Sequence, residues 1–215
     1  MYFLIKRVLD FVLAFIGLIV LSPIFIIIIM AIMIDSKGPV LFKQKRVGIH
    51  RTHFDILKFR TMKIDTPKEI PTHQLFNPQQ YITAVGKFLR KTSLDELPQL
   101  INILMGQMSI IGPRPALWNQ YDLIEERDKY GANDILPGLT GWAQINGRDE
   151  LEIPVKAKLD GEYVERMSFL FDCRCFLGTI QLVLKRDGIV EGGTGELHRQ
   201  LMQEAGSATK EHTVK

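Results

Sequence analysis

Residues 11–34 read "FVLAFIGLIVLSPIFIIIIMAIMI", 24 positions without a charged side chain. As straight helix they would reach about 36 Å, against a hydrocarbon core of about 30 Å. The segment is long enough to cross a bilayer. No small-x-small cleavage pattern precedes Asp35, so it is expected to stay as an anchor. Pro23 stands at its centre, where it removes one helical hydrogen bond and presses on the Ile19 carbonyl, at about 3 kcal/mol in a straight helix. With Ser22 ahead of it, this is a kink site. Each half, 11–22 and 23–34, would reach about 18 Å, little more than one leaflet. Lys6 and Arg7 precede the segment and Lys37, Lys43, Lys45 and Arg46 follow it, so the positive-inside bias favours the cytoplasm for both flanks. A re-entrant helix-break-helix and an ordinary kinked span both remain open on the residues alone.

The rest of the chain is one domain's worth. A length of 215 residues with 46% hydrophobic content allows a real core plus one short appendage. The boundaries expected are 1–36 for the membrane helix, 37–190 for the domain and 191–215 for a polar tail. Formal net charge is +3, yet residues 37–63 carry eight basic side chains against Asp55 alone, a local +7 that leaves the remainder at −4. Directly after an apolar segment, such a stretch suits anionic lipid or a phosphorylated substrate, and nucleic acid is not among the partners expected. Cys173 and Cys175 are the only cysteines and offer neither a disulfide framework nor a zinc spacing.

Residues 40–48 and 53–62 have the β-branched and aromatic content of short strands, joined by a turn at Gly48. Residues 65–80 hold Pro67, Pro71 and Pro78 and read as a surface loop. In "SIIGPRPALWNQYDLIEERDKYG" Pro115 is a plausible first residue of a helix. The glycines of "LPGLTGWAQINGRDE" suit a close-fitting ligand loop. Ser168 can cap a helix whose Phe169, Cys173, Phe176, Leu177, Ile180, Val183 and Leu184 share one face, with Asp172 near its start in a structural role. That face can serve a core or lie in a membrane interface.

"TSLDELPQL", residues 92–100, places Asp95 and Glu96 side by side. Ser93 and Glu96 fit a capping box. The same helix start also suits a bound phosphate, and a carboxylate that attacks phosphorus forms an acyl phosphate, dividing one difficult transfer into two. Adjacent helix positions point about 100° apart, so the two acids need different tasks: Asp95 as nucleophile, Glu96 as magnesium ligand or base. Arg90, Arg114 and Arg148 stand in or beside loops, where guanidinium forks suit diphosphate oxygens.

These residues carry a resemblance. "KRVLDFVLAFIGLIVLSPIF", "GPVLFKQKRVG", "FDILKFRTM", "LRKTSLDELPQLINILMGQMSIIGPRPA" and "PGLTGWAQINGR" follow one another as do the motifs of the bacterial sugar transferase family, the monotopic phosphoglycosyl transferases, from about Lys6 to Gly188. The chain resembles in particular the small single-domain members that start capsule, O-antigen or glycoprotein glycan assembly. The resemblance implies a membrane-seated α/β enzyme, predominantly helical, with a re-entrant kinked helix and surface amphipathic helices at the cytoplasmic face of the bacterial inner membrane. It implies transfer of a phospho-sugar from a UDP-sugar to undecaprenyl phosphate, releasing UMP and requiring magnesium. The catalytic Asp-Glu pair falls on Asp95 and Glu96, which would also hold the metal, and an active-site lysine falls on Lys58. Phosphate- or nucleotide-binding arginines fall on Arg90, Arg114 and Arg148, and the helix break on Ser22 and Pro23. Expected partners are the UDP-sugar, undecaprenyl phosphate, membrane lipid and, among proteins, a second copy or downstream glycosyltransferases. A glycosyltransferase releasing UDP is the alternative enzyme, although the chain lacks an Asp-x-Asp sequence. A lipid-binding scaffold without turnover is the alternative outside enzymes.

Overall fold

The structure is a computed structural model that describes residues 2–64, 66, 78–147 and 151–185. Arg148, most of the proline-rich loop and the expected tail at 191–215 lie outside the described residues. The molecule is mostly helical, with two small sheets.

Helix α1 runs from Tyr2 to Asp35 with Pro23 inside it. Helical structure continues past Ser22 and Pro23, the kink site expected from the sequence, so that α1 is one element. Proline cannot donate to the Ile19 carbonyl, but Ser22 Oγ does so at 2.7 Å, which satisfies the freed acceptor and lets the helix continue.

One stripe of α1 belongs to the core of the domain. Ala14, Leu18 and Leu21 pack with Phe54, Ile56, Leu100, Ile103 and Met108. Further along, Phe25, Ile28, Ile29 and Ile32 pack with Phe59 and Leu89, with the Phe25 and Phe59 rings edge-on at 5.3 Å. The first turns are fixed by charge. Lys6 Nζ lies 2.6 Å from Asp172 Oδ2. Asp172 also accepts from the hydroxyls of Tyr2 at 2.6 Å and Tyr163 at 2.7 Å. Arg7 donates to the Ile103 and Leu104 carbonyls. Asp10 accepts the Ser109 hydroxyl at 2.7 Å and the Ile110 N–H at 3.0 Å. The other sectors of α1 are exposed, including Phe3, Leu4, Val8, Phe11, Phe15, Ile16, Ile19, Val20, Ile26, Ile27 and Met30.

Strands β1 (Leu41–Val47) and β2 (His53–Phe59) form an antiparallel hairpin in register from Leu41↔Phe59 to Val47↔His53. The left-handed turn positions are His50 and Arg51, at φ 51° and 57°, not Gly48. Helix α2 (Ala84–Thr92) is followed by a single 3-10 turn, Leu94–Glu96, and then by α3 (Gln99–Leu104). Strand β3 (Ser109–Ile111) pairs in parallel with β4 (Gly138–Thr140). Gly138 and Gly141 permit the close backbone approach of this contact. A Cβ on Gly138 would stand 2.1 Å from Gly112 N, and one on Gly141 would stand 2.1 Å from the Gly112 carbonyl oxygen.

Helix α4 spans Tyr121–Asp128, so Pro115 does not open it. Residues 115–117 instead extend along β1, where Val47 N–H donates to Ala116 O at 3.0 Å and Arg46 to Pro115 O. After α5 (Trp142–Ile145), α6 (Ile153–Arg166) packs on α4 around the buried Arg127–Asp160 pair at 2.6 Å. Helix α7 (Phe169–Lys185) starts as expected, with Ser168 Oγ accepting the Phe171 N–H. It buries Phe171, Asp172 and Cys175 while Phe169, Leu170, Phe176, Leu177, Ile180, Val183 and Leu184 face outward. Cys173 and Cys175 are free thiols.

Asp172 is the joint between the first turns of α1 and α7, and its side chain is 12% exposed against 10% for Lys6. Asp172→Ala should cost about 3–5 kcal/mol because it leaves the Lys6 charge buried and unpaired. Lys6→Met combined with Asp172→Leu should recover much of that loss, as measured by thermal unfolding of the detergent-solubilised protein.

Candidate active site

Ser93 decides how the two carboxylates are presented. It ends α2 in the left-handed conformation at φ 56°, ψ 16°, and its side chain makes no cap hydrogen bond. The capping box is therefore not formed, because the chain turns sharply between α2 and the 3-10 turn and aims the acids elsewhere. Glu96 Oε1 lies 2.7 Å from Lys58 Nζ and 2.8 Å from Arg114 Nη2. Lys58 comes from β2 and Arg114 from the loop after β3, so one carboxylate joins three segments. Arg90, on α2, donates from Nε to Thr61 Oγ1 at 2.9 Å, which holds its guanidinium group beside the turn. The approach of α2 to this backbone depends on Gly86, where a Cβ would stand 2.0 Å from the Thr61 carbonyl oxygen.

The neighbouring acids are in opposite electrostatic states. Burial opposes ionisation of Glu96, but Arg114 and Lys58, through charge and hydrogen bonds, outweigh it and hold the carboxyl well below the usual range. Burial pushes Asp95 up, and Glu96 adds to the rise, while Lys58, Arg90 and Arg114 oppose it only in part. No hydrogen bond or ion pair from a described residue reaches the Asp95 carboxylate. Glu96 is committed to protein cations and Asp95 is left available.

The structure thus brings together Lys58, Arg90, Asp95, Glu96 and Arg114 from four stretches of chain. Three cations against two carboxylates leave a positive site, as a diphosphate ligand requires. Ser22 and Pro23 stand apart from it, inside α1.

Comparison with known proteins matches residues 1–186 to the bacterial sugar transferase family. The chain belongs to that family. It is 38% identical over 186 residues to the sugar transferase EpsL of Bacillus subtilis (strain 168), covering 86% of this chain and 90% of the relative. It is 41% identical over 185 residues to the UDP-glucose:undecaprenyl-phosphate glucose-1-phosphate transferase of Escherichia coli (strain K12), covering 82% of this chain and 39% of that protein. It is 36% identical over 194 residues to the galactosyl transferase CpsE of Streptococcus agalactiae, covering 85% of this chain and 43% of the relative.

In this sugar transferase, sequence reasoning missed the residue that places Lys58. Asn102, on α3 and fully buried, accepts the Leu57 N–H at 2.9 Å and donates to the Asp55 carbonyl at 2.8 Å. Its amide acts as a strand neighbour along the edge of β2 that β1 does not cover, immediately before Lys58. Gln107 Oε1 accepts the second amide hydrogen at 2.7 Å. A lone amide in the apolar run "LINIL" was the available signal. The tertiary partners of Lys6 and Asp10 were likewise missed, and Asp172, expected in a structural role at the start of α7, fills it by pairing with Lys6 of α1.

Asn102→Ala should leave the Leu57 N–H and Asp55 C=O buried without partners, at about 1–3 kcal/mol of stability. Thermal unfolding of the variant checks this, and an unchanged midpoint would show that the clamp contributes nothing.

Proposed function

We propose that the chain transfers a phospho-sugar from a UDP-sugar to undecaprenyl phosphate at the cytoplasmic face of the bacterial inner membrane, releasing UMP and starting assembly of a surface glycan. The observation that carries this reading is the division of labour between adjacent acids. Glu96 is paired to two cations, whereas Asp95 beside it is half-buried without a donor from the described residues on its carboxylate. The undecaprenyl-phosphate relative from Escherichia coli, matched over 82% of this chain, supports the same chemistry.

In the first step an Asp95 oxygen attacks the phosphorus that bears the sugar. The bond from that phosphorus to the bridging oxygen breaks, and UMP leaves with the electron pair. The product is an acyl phosphate between Asp95 and the phospho-sugar. In the second step an oxygen of undecaprenyl phosphate attacks the same phosphorus, the bond to Asp95 breaks, and the carboxylate is restored. Partial removal from water makes Asp95 a stronger base than a solvated aspartate, and hence a better nucleophile once ionised. Lys58, Arg90 and Arg114 balance charge on the diphosphate, and Glu96 keeps Lys58 and Arg114 fixed before substrate arrives. Arg148 is a further candidate for nucleotide contact.

Magnesium fits as a metal brought in with the diphosphate. Among the described residues no group of three or more His, Cys, Asp or Glu side chains gathers, so an all-protein cage is not built. Magnesium is commonly held by one or two carboxylates with substrate phosphates completing its shell, and Asp95 with Glu96 would serve. When bound it neutralises charge on the transferring group.

The way α1 is held supports a monotopic membrane seating. Its beginning is fixed to the domain by Lys6, Arg7 and Asp10, and its end by Asp35, whose Oδ2 accepts the Val85 N–H. A straight span would carry this domain, with its polar backbone, into the hydrocarbon. A re-entrant, monotopic seating keeps both ends of α1 on the cytoplasmic side, with its outer sectors and the apolar face of α7 in lipid.

Asp95→Asn keeps shape and removes the nucleophilic charge, so turnover should fall at least about a thousandfold, or about 4 kcal/mol of barrier, in a folded protein. Release of UMP from the wild type, and loss of a radiolabelled sugar-phosphate adduct in the variant, check the covalent route. Release of UDP would instead assign a glycosyltransferase. For the seating, a cysteine introduced at position 3 should react only with reagents that reach the cytoplasm. Labelling from outside intact cells would replace the re-entrant arrangement with a conventional span.

A further inference from the structure

Two arginines converge on one indole ring at the border of the apolar face of α7. The Arg166 guanidinium carbon lies 5.8 Å from the Trp142 ring centre, and that of Arg174 lies 5.2 Å from the same centre. Arg166 also stands 4.5 Å from the Phe171 ring. The two cations are therefore within about 11 Å of each other. Among the described residues neither takes part in an ion pair. The acids nearby are otherwise engaged or turned to solvent: Glu162 Oε2 accepts the Trp142 indole N–H at 3.0 Å, Asp172 is taken by Tyr2, Lys6 and Tyr163, and Glu165 is exposed.

The position of this pair indicates the kind of anion it would suit. At 100° per residue, the outward sector of α7 carries Phe169, Phe176, Leu177, Ile180 and Leu184, and Arg174 with Gln181 forms one edge of it. The apolar sector continues onto α1, because the Lys6–Asp172 pair joins the first turns of the two helices where Phe3, Leu4, Ile5 and Val8 are exposed. An indole at such a border, flanked by basic groups, matches the chemistry of the membrane interface. We propose that Arg166 and Arg174, on the Trp142 platform, dock the headgroup phosphate of an anionic phospholipid whose acyl chains lie along α7. Guanidinium forks match phosphate oxygens, and one phosphate between the two arginines removes their mutual repulsion. The site would fix the rotation of α7 in the interface, and with it the height of the catalytic turn above the bilayer. This inference rests on the membrane seating proposed above, and not on the reaction.

The test uses the full chain with Trp118→Phe, which leaves Trp142 as the sole indole of the two in the sequence. The protein is placed in phosphatidylcholine nanodiscs containing a low mole fraction of either brominated phosphatidylglycerol or brominated phosphatidylcholine. Brominated phosphatidylglycerol should quench Trp142 more strongly. Arg166→Gln with Arg174→Gln should abolish the excess, with a loss of relative affinity of about fivefold per arginine. Arg166→Lys with Arg174→Lys should keep most of it. Equal quenching by the two lipids, or an excess that survives the glutamine pair, would overturn the headgroup site while leaving the seating intact. Quenching by neither lipid would overturn the seating of α7 as well. Exclusion of both lipids by undecaprenyl phosphate alone would assign the site to the acceptor and also overturn the proposal.

Discussion

The fold around the site depends on a single carboxylate held by two cations. Glu96 draws Lys58 from the hairpin and Arg114 from the loop after β3 onto one short turn. A half-buried acid in this position depends on both partners, since loss of either leaves charge less well compensated in a poorly solvated place. The arrangement therefore needs a rigid frame. Asn102 supplies it on one side by clamping β2, and the close approach of β3 to β4 at Gly112 and Gly138 supplies it on the other.

That frame is built directly on α1. A helix of this apolar character could have stood apart as an anchor, yet one stripe of it completes two core clusters of the domain. The same helix presents its remaining sectors outward, as does α7. Charged groups in the first turns settle the register between these surfaces: Lys6, Arg7 and Asp10 each find a partner on a different element. The outward apolar surface and the core beneath the candidate site thus share one element, so a shift of α1 would reach β2 and the 3-10 turn through a few layers of side chains.

The adjacent acids illustrate how local geometry separates chemical roles. Both are close to Lys58 and Arg114, but hydrogen-bonded pairing to them is given to Glu96, while Asp95 is partly removed from water without a donor from the described residues. A left-handed Ser93 is the device that makes this possible, because it turns the chain so that successive side chains enter different surroundings. The strained conformation is found beside the carboxylate proposed as nucleophile, and backbone strain commonly gathers at functional sites.

Much was legible in the sequence because it was written in composition and short motifs. The apolar run 11–34, the two strands around Gly48, the cap at Ser168, the outward apolar face of α7 and the Asp-Glu pair all arise from neighbours along the chain. The family signature rests on the same local strings. What tertiary structure decided concerns residues far apart in sequence. It kept α1 whole through Pro23 by means of Ser22, turned the expected helix at Pro115 into a partner for β1, and used glycines for backbone packing. It denied Ser93 its cap and gave Glu96 to Lys58 and Arg114, 38 and 18 residues away. A sequence specifies which side chains can ionise, pack or cap. Which of two adjacent carboxylates is paired to cations, and which is left half-buried without a hydrogen-bond partner, depends on elements that meet only after the chain has folded.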